Sequence, residues 1–153
     1  MTVADLSFLL PAAQDWEARL QVTYLAPAGP SDPNLPADLQ EVPPPRLNIV
    51  VSRTPTQQTD PRVECRKFIA QTAKAVPGLE EVGSPGPLNF DDGATGVIAT
   101  ISFPATQQIR LTQLHAFRID DGILTQLVAT ASESEAARKH EELRKSLQGF
   151  TLK

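Results

Sequence analysis

Between residues 109 and 130 apolar and polar positions alternate on both sides of an Asp121-Gly122 step, the pattern of a β-hairpin with a two-residue type I′ turn. Such a turn sets the register: Ile119 faces Leu124, Phe117 faces Gln126, His115 faces Val128 and Gln113 faces Thr130, each pair on one side of the sheet. The opposite side carries Leu114, Ala116, Leu127 and Ala129, small and apolar as expected beneath a packed helix. The first side mixes Ile109, Leu111, Phe117 and Val128 with Gln113, Gln126 and Thr130. A solvated face would hold more charge. Two apolar faces imply either helices on both, or one helix layer and one face kept for a partner; the interspersed uncharged hydrogen-bonding groups favour the partner.

The remaining pattern supplies the other elements. Residues 19–25 alternate Leu20, Val22 and Tyr24 with Arg19, Gln21 and Thr23, the period of a half-buried strand; residues 47–53 repeat it with Leu47, Ile49 and Val51. Residues 4–10 read as a short first strand or an extended entry stopped by Pro11, and Trp16 reads as a core or rim anchor. Asp60-Pro61 opens a helix to about residue 76, with Cys65, Phe68, Ile69, Thr72 and Val76 on one stripe and Pro77-Gly78 ending it. Short strands follow at 79–82 and 88–91, then a β-branched strand at 96–103 that 104–108 links to the hairpin. Ser132 and Glu135 stand at capping-box spacing before a helix over 133–148, whose stripe of Ala136, His140, Leu143, Leu147 and Phe150 needs a bed. The natural bed is Leu114, Ala116, Leu127 and Ala129. The fold class is α+β: an antiparallel β-sheet with two principal helices, in one domain over 1–153.

Composition changes this picture at one place and narrows the function elsewhere. Half of the 14 prolines fall within residues 26–45, so that stretch holds neither helix nor ladder and reads as a long loop. A chain of 153 residues buries about two thirds of its unfolded surface without staples. A net charge of −4 with no basic cluster excludes a nucleic-acid or anionic-lipid field. A lone cysteine rules out an internal disulfide framework and fits a reducing compartment. The first ten residues lack the basic start of a secretory signal, and no run reaches the ~18 apolar residues of a membrane span. The expectation is a cytoplasmic protein.

Candidate chemistry is sparse. His115 and His140 lie in different elements and Cys65 is alone, which gives no metal set. Cys65 has no companion base or oxyanion site, and His115 reads as a satisfied sheet histidine before a partner contact. Asp91-Asp92 and Asp120-Asp121 each precede a glycine in a turn, which accounts for them. Phosphate-loop, dinucleotide and nucleophile-elbow motifs are missing, so no enzyme, catalytic residue, metal or cofactor is expected.

Several local patterns carry a resemblance: Trp16 before an alternating strand, Ile49-Val50-Val51-Ser52-Arg53, a helix ending Val76-Pro77-Gly78, Leu111-Thr112-Gln113 opening a long strand that ends near Arg118, and the Thr130 exit into the last helix. In that order they resemble the DcrB-like, Eag-type chaperones of bacterial type VI secretion, whose fold is similar to that of Mog1 and PsbP. The resemblance spans nearly the whole chain. It implies a cytoplasmic homodimer that binds the hydrophobic N-terminal transmembrane helices of a secreted effector and shields them before export, without inserting stably into a membrane. Carried over residue by residue, it places Asn48, Val50 and Ser52 on one strand and Ile109, Leu111 and Gln113 on another at an apolar helix-binding groove. Leu20 and Val22 join them from the first strand, where counting from Trp16 and back from Pro27 gives different registers. The alternative is a Mog1-like regulatory interaction domain. A soluble partner prefers charged rim contacts, whereas a chaperone groove presents a long uncharged trough.

Overall fold

Asp121 and Gly122 both take left-handed backbone angles, φ 49° and 74°, the geometry a type I′ turn demands of its two central residues. The flanking strands pair in the register that this turn dictates, Ile119 opposite Leu124 through Gln113 opposite Thr130. The computed structural model describes residues 20–25 and 48–151; the apolar entry, Trp16 and the proline-rich stretch lie outside them.

The elements are β1 (Leu20–Leu25), β2 (Asn48–Pro55), α1 (Pro61–Ala75), β3 (Glu80–Glu81), β4 (Gly86–Asn89), β5 (Thr95–Pro104), β6 (Arg110–Asp120), β7 (Ile123–Ser132) and α2 (Glu133–Gln148). The architecture is α+β, as expected. The strands form one antiparallel sheet in the order β1-β2-β7-β6-β5-β3, and β4 pairs with β5 further along the edge that β3 uses. The helices begin where their caps require. Asp60 Oδ1 accepts from Arg62 N at 2.9 Å with Pro61 at the first helical position, and Ser132 Oγ accepts from Glu135 N at 3.3 Å.

Each helix covers one side of the sheet. α2 lies on β6 and β7, burying Leu143 and Leu147 against Leu114, Ala116, Leu127 and Ala129, with Ile49 and Val51 of β2 packed at the margin. This is the bed read from the pattern. α1 lies on β5 and β6, where Cys65, Phe68 and Ile69 meet Val97, Ala99, Phe117 and Leu124. Gly96 makes the close approach of β5 to its neighbours feasible, since a Cβ there would stand 2.3 Å from Phe117 O and 2.8 Å from Phe90 Cε2.

Several boundaries differ from the pattern, among them that of β4, which covers Gly86–Asn89 rather than 88–91. β2 runs on to Pro55, because Thr54 and Pro55 still have partners in Leu124 and Ile123 of β7. α1 stops at Ala75, and Val76 acts as its cap, donating its N–H to Thr72 O at 2.8 Å. Ile109 stands before β6 rather than in it, since its carbonyl accepts from both Ala105 N and Thr106 N and so closes the turn.

Candidate functional site

The register assigns every position of β2, β7, β6 and β5 to one side or the other. On these strands all four charged residues, Arg53, Arg110, Arg118 and Asp120, fall on the α2 side. The α1 side of the same strands holds no Asp, Glu, Lys or Arg. α1 covers the β5 and β6 part of that side. The remaining part is built from β2, β7 and the start of β6 in cross-strand rows. Asn48, Thr130 and Gln113 form one row; Val50, Val128 and His115 the next; Ser52, Gln126 and Phe117 the third. Leu111 extends β6 beyond the first row, opposite Ser132. Asn48, Val50, Ser52, Leu111, Gln113, Gln126 and Val128 are half-buried. Three adjacent strands span about 10 Å, close to the diameter of a helix.

Thus Asn48, Val50, Ser52, Leu111 and Gln113 do come together on one surface, although not as direct neighbours. β7 runs between β2 and β6 and contributes Gln126, Val128 and Thr130, which the resemblance did not supply. Their alternation put them on this side. Only the strand order makes them its centre. Leu20 and Val22 do not join the group, because the β1 register sets Val22 opposite Val51 and Leu20 opposite Arg53, positions of the α2 side. Gln21, Thr23 and Leu25 stand instead in register with Ser52, Val50 and Asn48. Ile109 belongs to the turn that leads into this surface.

A buried histidine closes the surface where α1 ends its cover. His115 is 2 % exposed, its ring 4.5 Å from that of Phe68 on α1. Its Nδ1 lies 3.1 Å from Gln126 Nε2 and its Nε2 3.0 Å from Gln113 Oε1, and Gln113 Nε2 donates to Thr130 Oγ1 at 3.1 Å. Burial pulls its pKa down to about 3, so the ring is neutral at physiological pH. The charge-free character of the α1 side of β2, β5, β6 and β7 therefore extends to their one histidine.

The other polar groups serve the frame. Arg118, 3 % exposed, donates through Nε and Nη2 to both Asp120 oxygens, at 2.7 and 2.8 Å, and through Nη1 to Asp92 at 2.8 Å. Its guanidinium also stands 4.8 Å from the Phe90 ring centroid. The bonds to Asp120 chiefly, and to Asp92, hold it above the usual arginine pKa against the cost of burial. Turn propensity alone thus does not account for Asp92 and Asp120. They also neutralise a buried cation, which adjacency in sequence could not reveal for Asp92. Burial pushes the Cys65 thiol up to about 11, with the Glu81 charge adding to it, so it is a poor nucleophile. A shallow cleft of about 290 Å³ on the outer flank of α1 is lined by Arg66, Ile69, Ala70, Glu81 and Pro85, without a convergent set of polar groups. Among the described residues no His, Cys, Asp and Glu cluster could hold a metal, and no helix is long and apolar enough to cross a membrane.

No protein-family model matches the chain, and no curated protein does. Among solved structures it is similar to the crystal structure of a protein of unknown function from Pseudomonas aeruginosa, at a TM-score of 0.67 and 13 % identity over 100 % of this chain and 95 % of that one. At that identity the likeness is one of fold.

Proposed function

We propose that the chain is a cytoplasmic, non-enzymatic chaperone of the Eag type, which binds the hydrophobic N-terminal helices of a type VI secretion effector and shields them before export. The observation that carries the reading is the segregation of charge. Every charged residue of the four central strands lies on the α2 side, and on the part of the α1 side that no helix among the described residues covers, Val50, Val128 and Leu111 stand among uncharged amides and hydroxyls. An apolar client of about 20 residues aggregates in water, and covering it gains about 25 cal/mol for each Å² of apolar surface removed. Charge in the trough would have to be desolvated against that surface and would oppose capture. Asn48, Ser52, Gln113 and Thr130 interrupt the apolar surface, which limits self-association and offers partners to polar atoms of close-packed helices.

Co-expression with apolar N-terminal segments of candidate effectors tests the reading. The expected result is that an otherwise insoluble segment becomes soluble and co-purifies with the chain. Leu111→Arg should abolish capture while the folding free energy changes by no more than about 1 kcal/mol, since Leu111 is half-buried and belongs to neither packed cluster. Capture undiminished by Leu111→Arg would remove the trough from consideration. Retention only of a folded, charged partner would favour a regulatory interaction domain.

A further inference from the structure

The hydrogen-bond chain on the charge-free side runs through the histidine at its middle. In this structure Gln126 turns its NH₂ to the ring, and His115 Nδ1, 3.1 Å away, accepts. A neutral imidazole with a lone pair on Nδ1 carries its proton on Nε2, and Nε2–H donates to Gln113 Oε1 at 3.0 Å. Gln113 is thereby oriented, carbonyl toward the ring and NH₂ away from it. One of its N–H groups donates to Thr130 Oγ1 at 3.1 Å. Thr130, itself buried, stands in the row between half-buried Gln113 and Asn48. The ring itself is held in place by its aromatic neighbours. Phe68 packs on it at 4.5 Å and Phe117 lies near parallel at 6.2 Å, with an interplanar angle of 16°.

We propose that His115 is a positioning residue for client recognition: by holding the Gln113 carbonyl inward it turns the second N–H of half-buried Gln113 toward the occupant, so the trough takes hydrogen-bond acceptors. The occupant this fits is an apolar helix with a glycine or alanine at the contact, where main-chain carbonyl oxygens lie open to a close neighbour and use their second lone pair. A trough lined by unoriented amides would accept donors equally. The inference rests on the chaperone reading above, because it needs that surface to be occupied. Burial keeps the ring neutral well below physiological pH, so the direction of the chain does not change with ordinary acidification.

Two measurements test it, and they fail separately. Long-range ¹H–¹⁵N correlation spectra of the free protein report which ring nitrogen of His115 bears the proton. The Nε2–H tautomer is expected, and an Nδ1–H tautomer, or rapid averaging of the two, overturns the proposal whatever the client. For binding, the probe is a synthetic lysine-flanked Ala/Leu helix of about 20 residues with glycines spaced along one face, followed by fluorescence anisotropy. Gln113→Leu, and His115→Phe, which keeps the ring stack, should each weaken the probe about tenfold with a folded spectrum retained, and the double variant should be no weaker than either alone. Where His115→Phe fails to fold, Gln126→Leu replaces it, releasing Nδ1 from its donor; it should mix the tautomers and weaken the probe. Full binding by these variants beside its loss in Leu111→Arg would overturn the role of His115 and leave the trough standing. Unimpaired binding by Leu111→Arg would overturn the trough and the inference with it.

Discussion

At the scale of single residues, His115 and Arg118 show opposite ways of burying a polar side chain. His115 is kept neutral. Its folded pKa of about 3 lies below the ordinary value of 6.5, so below pH 6.5 the unfolded chain binds a proton that the folded one refuses. Stability is therefore intact above about pH 6.5 and falls as pH drops, by about 1.4 kcal/mol for each pH unit well below 6 until the folded ring titrates. Urea midpoints recorded from pH 7 to pH 4 should show that slope, and His115→Phe should flatten it. Arg118 stays charged, matched by Asp120 and Asp92 and set over Phe90. Arg118→Ala removes a cation that is 3 % exposed and takes from Asp92 and Asp120 the charge that both meet. The expected loss is about 3 kcal/mol, read from chemical denaturation. Neither environment is encoded locally, because what a His or Arg pays to be buried depends on the strands beside it and on a turn 26 residues away.

At the scale of elements, local chemistry is decisive. The Asp121-Gly122 turn alone fixes the pairing of β6 with β7, since only residues tolerant of positive φ follow that path, and the register then sorts each side chain to a face. The last helix follows from a capping serine and a stripe whose Leu143 and Leu147 are 2 % and 0 % exposed. Leu143→Asp should accordingly cost several kcal/mol through burial of an unpaired charge, visible as a large drop in the thermal midpoint. A midpoint equal to that of the parent would show the stripe to be an exposed interface. Ile109 marks the limit of such reading. Its alternation continues that of β6, but the tight return from β5 claims its carbonyl for Ala105 and Thr106 and ends the strand one residue sooner.

At the scale of the whole molecule, the strand order turns separate patterns into a surface. β2, early in the chain, pairs with β7, so residues read from two distant stretches come to flank the β7 positions Gln126, Val128 and Thr130. The two sides of the sheet then differ in kind, one holding every charge of the central strands and the other none. A client with charge along its apolar helix should consequently be rejected: introducing a lysine at the centre of a captured segment should return it to the insoluble fraction, while a lysine at its end should not, because an end can reach water. The sequence by itself determined the hairpin, both helices, the α+β class and the absence of charge on one face of the hairpin, because these depend on short-range periodicity, capping and the φ preference of a turn. The tertiary structure alone decided that β7 lies between β2 and β6, that Leu20 and Val22 belong in register with the α2 side, that Arg118 meets Asp92 and that His115 stands between Gln113 and Gln126. Each of these requires two stretches of chain to be brought side by side, and no local preference specifies which stretches those are.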